Sequence, residues 1–261
     1  MNYNKKSLGQ NFLRDKNVIK KIINSVEITG KDIIEIGPGD GSLTDQIIKH
    51  KPKSLLLIEK DISLFSKLNL KYKFEKSINI ICNDFLKLNL KNIIKKNSII
   101  FGNLPYNISS QIFVKLLKDG YWPPKYKDLI LMFQKELGEK IIANFKSSKY
   151  GRLSIISSVV LDLKKKFLVS PNCFKPKPKV QSIVLHFKSK KKRETNIINI
   201  DNLEKVTNII FSNKRKMVNK NLKKILNLNE IASLKEMKLN MRPTDIKPEI
   251  YYKITEIIEG R

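Results

Sequence analysis

The stretch Asp32-Ile33-Ile34-Glu35-Ile36-Gly37-Pro38-Gly39-Asp40-Gly41-Ser42 decides how the rest of the chain is read. Asp32–Ile36 is a short, largely apolar run that stops at a glycine-rich turn. Leu43 to His50 then has helical spacing, with Ser42 as its expected cap. Strand, glycine loop and helix in that order make a ligand cradle: glycines turn tightly, and the helix N-terminus adds a positive dipole. Dinucleotide-binding loops need a third glycine where Ser42 stands, and no G-x-x-x-x-G-K-[ST] occurs anywhere in the chain. Neither a dinucleotide loop nor a P-loop is present.

Moving outward, the same alternation repeats. Ser54–Ile58 is a second apolar run, followed by Glu59-Lys60-Asp61 and a helical segment with Leu64, Leu68 and Tyr72 on one face. Ile78–Cys82 ends at Asn83-Asp84, and Ser98–Phe101 ends at Gly102-Asn103-Leu104-Pro105-Tyr106. Ile112–Leu117 is expected as the next helix and Asp128–Phe133 as a fifth strand. Continuous apolar strands alternating with amphipathic helices predict an α/β fold, a parallel sheet covered on both faces. Past Arg152 the pattern becomes β-rich, at Val159–Val169 and Val180–Lys188, which predicts edge strands, an antiparallel pair, on the same sheet. The run Lys188-Ser189-Lys190-Lys191-Lys192-Arg193-Glu194 lacks apolar residues and marks a boundary between domains at 1–190 and 195–261. Asn202–Phe211, Met217–Leu226, Glu230–Leu239 and Pro248–Ile258 have helical spacing, so the second domain is expected to be small and all-α.

Composition narrows the partners. The 261 residues carry 52 Lys+Arg against 24 Asp+Glu, a formal charge of +28. Such an excess favours a polyanion such as RNA. It also fits an A/T-rich coding sequence, because Lys, Ile and Asn are abundant throughout while arginine is scarce. Two cysteines and two histidines argue against a disulfide framework or a structural metal. No apolar run approaches the roughly 18 residues of a membrane helix, and Met1 to Phe12 lacks the apolar centre of a signal peptide. A cytosolic protein is expected.

Three strand ends then converge. Gly37, Glu59 (22 residues after Gly37) and Asp84 each close a predicted parallel strand, so all three belong to the carboxyl edge of one sheet, where open α/β sheets bind ligands. Glu59 can accept from ribose hydroxyls, and Asp84 is in reach of an adenine amino group. Asn103-Leu104-Pro105-Tyr106, at the next strand end, suits an exocyclic amine on a flat base. The lone pair of such an amine is delocalised into the ring. The Asn103 side-chain oxygen and the Leu104 carbonyl could hold both amino hydrogens and favour a pyramidal nitrogen. Pro105 stiffens the turn, and Tyr106 can stack on the base.

Here the chain resembles the S-adenosylmethionine-dependent methyltransferases, whose first motif reads E-x-G-x-G-x-G. Asn103–Tyr106 matches their amino-methylation signature [NDS]-[PIL]-P-[YFW]. Ser7-Leu8-Gly9-Gln10-Asn11-Phe12-Leu13, Lys149–Ser154, Phe174-Lys175-Pro176-Lys177-Pro178-Lys179-Val180-Gln181-Ser182 and Arg242-Pro243 resemble segments of the ribosomal RNA adenine dimethyltransferases. That resemblance implies a Rossmann-like class I methyltransferase sheet and S-adenosylmethionine as cofactor. It places cofactor contacts at Asn11, Leu13, Gly37, Gly39, Glu59, Lys60, Asp84, Phe85 and Asn103. It places the catalytic group at Asn103, Leu104, Pro105, Tyr106 and Phe174, and RNA contacts at Lys214, Arg215 and Lys216. The implied partner is the small ribosomal subunit with its rRNA, met by a monomer, and no metal or membrane is implied. Gln181 departs from the family's usual Asp, and Lys214 from its frequent Arg.

Two rivals remain open. A large-subunit rRNA adenine methyltransferase of the antibiotic-resistance type shares fold and cofactor, though it usually carries Ile at the position of Leu104. A non-catalytic ribosome-assembly or transcription factor on the same fold would be expected to show substitutions at Glu59, Asp84 or Asn103–Tyr106, and none is present.

Overall fold

The computed structural model of the chain describes residues 11–118, 123–192 and 194–261. The Ser7–Gln10 part of the opening segment and Arg193 of the basic run lie outside them. In chain order the strands are β1 (Phe12–Leu13), β2 (Asp32–Ile36), β3 (Ser54–Glu59), β4 (Ile78–Cys82), β5 (Ile99–Asn103), β6 (Asp128–Gln134), β7 (Leu161–Val169), β8 (Phe174–Lys175) and β9 (Ser182–Ser189). The helices are α1 (Lys16–Ile23), α2 (Thr44–Lys49), α3 (Ile62–Lys71), α4 (Ser109–Leu117), α5 (Lys135–Ile141), α6 (Arg152–Val160), α7 (Ile200–Ile210), α8 (Asn219–Leu222), α9 (Leu228–Ser233) and α10 (Pro248–Glu259).

Seven strands form one sheet in the order β4-β3-β2-β5-β6-β9-β7, and β1 pairs with β8 in a separate two-stranded ribbon. Strands β4, β3, β2, β5 and β6 are parallel, and β9 is antiparallel to β6 with Gln134 opposite Ser182. The connection from β2 leads to β3 on one side and that from β5 to β6 on the other. The strand order therefore reverses between β2 and β5, and their carboxyl ends flank a crevice. This is the Rossmann-like sheet that the resemblance implies.

The two faces of the sheet can be read from the period-2 alternation of its strands. Ile33, Leu55, Leu57, Ile99, Phe101, Ile130 and Met132 point to one face, where Ile19, Ile22 and Ile23 of α1, Ile47 of α2 and Leu68 of α3 cover them. Residues of the opposite parity meet α4: the Phe113 ring lies 5.6 Å from that of Phe133, edge to face, and 5.7 Å from that of Phe187. Both faces are thus filled by residues at the predicted strand positions.

The structure differs from the sequence expectation at several places. Ser42 does not cap α2; the helix starts at Thr44 with no side-chain cap bond, and Ser42 Oγ donates to Asp40 Oδ1 at 2.7 Å. Val159 and Val160 end helix α6 rather than open a strand. The turn before α6 is closed by Gly151 N donating to Ser154 Oγ, and Ser157 Oγ donates to the Ile141 carbonyl, so this buried stretch stays helical. β9 is seated between β6 and β7, leaving β7 at the sheet edge.

The chain divides into two compact units, one up to Gly138 with Asp162–Ser189, the other Glu139–Leu161 with Lys190–Arg261. The break at Ser189 falls at the basic run, but Glu139–Leu161, expected in the first domain, clusters with the C-terminal helices. The reason is local to that second unit: Tyr150 Oη donates to the Ile246 carbonyl at 3.0 Å, and Tyr252 bonds Ser158 at 2.8 Å. Within it α8 and α9 are shorter than the spacing predicted. An Asn227–Glu230 capping box starts α9, which ends at Ser233 before Leu234, whose backbone leaves the helical region. Among the described residues no helix is long and apolar enough to cross a membrane.

Candidate active site

The carboxyl ends of β2, β3, β4 and β5, with the Asn11–Leu13 segment, enclose a cavity of about 210 Å3. Gly37, Gly39 and Gly41 all have φ between +62° and +84°, the left-handed region that glycine enters without strain. A Cβ on Gly39 would come within 2.8 Å of the Phe12 ring, and one on Gly41 within 2.2 Å of Tyr72 Oη. Alternate glycines therefore fit the loop between an aromatic cover and a buried phenol. At Gly37 the same construction meets nothing within 4 Å.

Glu59, at the end of β3, is buried and accepts twice from backbone. Gly39 N donates to Oε2 at 3.1 Å and Asp61 N to Oε1 at 2.9 Å. Burial raises its pKa, and those amides pull the other way. Asp84 caps the single turn Phe85–Lys87, with Leu86 N donating to Oδ1 at 3.0 Å. Its Oδ2 pairs with Lys60 Nζ at 2.8 Å, and this bond leads in holding the carboxyl below its usual range. Asn103 ends β5; its Nδ2 donates to the Asn11 carbonyl at 2.9 Å. Tyr106 Oη and Ser182 Oγ are 2.5 Å apart.

Asn11, Leu13, Gly37, Gly39, Glu59, Lys60, Asp84, Phe85, Asn103, Leu104, Pro105 and Tyr106 all line this one cavity. Phe174 does not. Its register opposite Leu13 places it in the ribbon, where its buried ring joins the core under that ribbon. It shares the site only by pairing with a strand that does line it. Lys214, Arg215 and Lys216 are exposed just after the turn Phe211–Asn213, in the helical unit. Several contributors carry no signal in the sequence. Phe12 stands inside a quoted segment yet suggested no role, and Thr44, Tyr72 and Ser182 act from behind the lining.

Glu35 lines the cavity with Thr44 behind it. It is fully buried on β2, accepts from Thr44 Oγ1 at 2.7 Å, and its pKa is pushed up to about 8 by burial. Asp45, Glu59 and Asp40 nearby push it the same way. Between its ordinary value of 4.5 and about 8 the folded protein holds a proton that the unfolded chain has released. Stability should therefore fall as pH rises through that window, by roughly 1.4 kcal/mol per unit at most from this group. Glu35→Gln keeps an acceptor for Thr44 and removes the titration. Urea melts at pH 5.5 and 8.5 should show a smaller pH loss in the variant; equal losses would clear Glu35 of the effect.

The cavity can be tested against S-adenosylmethionine by its lining. Among the described residues, Asp40, Glu59 and Asp84 line the cavity with Lys60 as the one lining cation, and buried Glu35 adds a carboxyl held largely protonated near neutral pH, in a chain of charge +28. An acidic lining suits a cationic sulfonium with a ribose diol and repels a pyrophosphate. Glu59 and Asp84 would hold the nucleoside end and the glycine loop would pass close to the ligand. Phe12, Leu13 and Phe85 give apolar walls. The residues fit the group.

Comparison with known proteins agrees. Residues 1–259 match the family described as ribosomal RNA adenine dimethylase. The ribosomal RNA small subunit methyltransferase A of Pelagibacter ubique is 43% identical over 259 residues, covering 98% of this chain and 97% of its own. The enzyme of the same name from Mycoplasma mobile is 40% identical over 253 residues, 95% of each chain. Among solved structures, a dimethyladenosine transferase from Plasmodium falciparum superposes with a TM-score of 0.76 at 25% identity, covering 95% of this chain and 98% of that one. The 23S rRNA methyltransferase ErmE gives 0.68 at 21% identity, covering 95% and 100%, a likeness of fold alone. Matched along nearly its whole length by these relatives, the chain belongs to the ribosomal RNA adenine dimethylase family.

Proposed function

We propose that the protein dimethylates N6 of two adjacent adenosines in the 3′-terminal hairpin of small-subunit (16S) rRNA, on assembling small subunits. The observation that carries this reading is the junction of the acidic cavity with Asn103–Tyr106, which line it together. It is supported by relatives named for the small subunit. In this reading the protein acts as a monomer in the cytosol, and its partner is the small subunit and its rRNA.

S-adenosylmethionine, when bound, supplies an electrophilic methyl group whose transfer needs no metal or protein nucleophile. The chain's own residues prepare the amine. Because Asn103 Nδ2 is committed to the Asn11 carbonyl, Oδ1 is the end of the amide that can accept an amino hydrogen. The Leu104 carbonyl would accept the other. Two acceptors placed off the base plane favour a pyramidal nitrogen with a localised lone pair. Tyr106 supplies a flat face for the base. A neutral amide acceptor serves the second transfer as well as the first, since the monomethyl amine keeps one N–H to offer.

Incubation of undermethylated small subunits with labelled S-adenosylmethionine, followed by nucleoside analysis, tests the reading. N6,N6-dimethyladenosine at two neighbouring positions is expected. Label in large-subunit RNA would favour the resistance-type rival. No label in either, with intact cofactor binding, would favour a non-catalytic assembly role.

Lys214, Arg215 and Lys216 serve in this reading as phosphate contacts. Each lost contact removes about 0.9 from the slope of log affinity against log salt for duplex nucleic acid, and about 0.7 for single strands. The triple alanine variant should bind rRNA more weakly and with a slope lower by about two to three. A filter-binding salt series matching the parent would return these residues to an ordinary solvated surface.

A further inference from the structure

Ser182 is the first residue of β9 and is fully buried. Because β9 runs antiparallel to β6, with Ser182 opposite Gln134, its amino end arrives at the same sheet edge to which β2–β5 bring the site. The corner before it is fixed. Lys135 N donates to the Gln181 carbonyl at 2.9 Å, and Lys135 Nζ to Gln181 Oε1 at 3.1 Å. A buried hydroxyl requires a partner, and that of Ser182 is Tyr106 Oη at 2.5 Å, across 76 residues of chain.

Tyr106 is thereby held at both ends. Ser109 Oγ donates to its carbonyl at 3.2 Å, fixing the backbone at the start of α4, while Ser182 takes the para-hydroxyl. The hydroxyl lies on the axis of the ring, so a fixed root and a fixed tip set χ1 and the direction of that axis, leaving only rotation about χ2. Tyr106 lines the cavity.

We infer that Ser182 is a positioning residue for base stacking: its hydroxyl holds the Tyr106 side chain in the one χ1 rotamer that presents the ring to the target adenine. This rests on the reading that Tyr106 receives that base. A stacking platform accelerates transfer only if it is already oriented when the base enters, because ordering it afterwards opposes binding. The tether runs from the sheet edge to the loop that carries the acceptors, so ring and acceptors are set against one another. Gln181 contributes through Lys135, by fixing the corner from which Ser182 departs.

The test uses the full chain with Ser182→Ala, Tyr106→Phe and the double variant. Two readouts separate positioning from simple packing. NMR of labelled tyrosine, with Tyr106 assigned through Tyr106→Phe, should show a single χ1 rotamer in the parent and rotamer averaging in Ser182→Ala. Single-turnover methylation at saturating RNA should slow about tenfold in each single variant, the scale of one hydrogen bond, and no further in the double. S-adenosylmethionine affinity by calorimetry should stay within about twofold of the parent, since Ser182 does not touch the glycine loop. An equally fixed Tyr106 χ1 rotamer in Ser182→Ala overturns the inference, as do multiplicative losses in the double variant. Tyr106→Phe breaks the same bond while leaving every side chain of β9 in place, so parental speed in that variant overturns it even if Ser182→Ala fails to fold. Should the parent itself not methylate small-subunit RNA, the assignment of substrate fails, while the Tyr106 χ1 rotamer still decides the tether.

Discussion

Asn103→Ala is expected to slow single-turnover methyl transfer by about two to three orders of magnitude while changing rRNA affinity by less than about threefold. The split follows from what the side chain does. Its amide nitrogen is bound to the Asn11 carbonyl at 2.9 Å, which orients the oxygen toward an incoming amino group. In the ground state the adenine amine is nearly planar and donates weakly. As nitrogen pyramidalises and gains positive charge, its N–H bonds become stronger donors and the contact with Asn103 Oδ1 strengthens. An interaction made chiefly in the transition state lowers the rate constant when removed, with little effect on binding. RNA affinity is supplied mainly by phosphate contacts spread over a chain of charge +28, which one neutral side chain hardly alters. Asn103→Asp refines the test. It keeps an acceptor but offers the Asn11 carbonyl a carboxylate instead of a donor, so the N-terminal segment should loosen and cofactor binding should weaken too. A variant Asn103→Ala that binds RNA poorly yet transfers at the parental rate would make Asn103 a docking residue instead.

The parts of this site that were legible in the sequence are those dictated by local chemistry. Asp32–Ile36 and Ile78–Cys82 read as strands and are β2 and β4 to the residue, because a short, largely apolar run stopped by a turn has few other solutions in a parallel sheet. Three strand ends in register then bring Gly37, Glu59 and Asp84 to one edge, and all three line the cavity. What stayed hidden depends on pairing between distant segments. Nothing in Phe174 or Leu13 announces that they face each other in a two-residue ribbon, and that register is what takes Phe174 out of the cavity. Ser182 closes a recognised segment, but its bond to Tyr106 exists only once β9 has come alongside β6. Thr44 and Tyr72 look like ordinary helix-face residues until Glu35 and Gly41 are placed beside them. The same holds for Glu139–Leu161: its tyrosine and serine partners lie about 90 or more residues further on, in the C-terminal helices.

Glu59→Ala should weaken S-adenosylmethionine binding by about ten- to a hundredfold, equivalent to about 1.4–2.8 kcal/mol. Two losses combine in that figure. The first is direct, because a buried carboxylate at the end of β3 offers charged acceptors to the ribose hydroxyls expected there. The second is structural. Glu59 Oε2 receives the Gly39 amide at 3.1 Å and Oε1 the Asp61 amide at 2.9 Å, so the carboxylate also ties the glycine loop to the strand end. Alanine leaves both amides without that acceptor and frees the loop. Glu59→Gln separates the two contributions only in part, since its NH2 must face one of the two backbone donors. It should therefore fall nearer to alanine than its shape suggests. Protonation offers an independent handle. Burial raises the pKa of Glu59 in the free protein, and ribose hydroxyls donating to it would favour the ionised form, lowering that pKa in the complex. Affinity should then weaken as pH falls toward the raised value, and this dependence should shrink in Glu59→Ala. Calorimetry across pH 5.5–8 gives both measurements in one series. An unchanged dissociation constant in the alanine variant would exclude Glu59 from the cofactor site and leave it only the task of holding the loop.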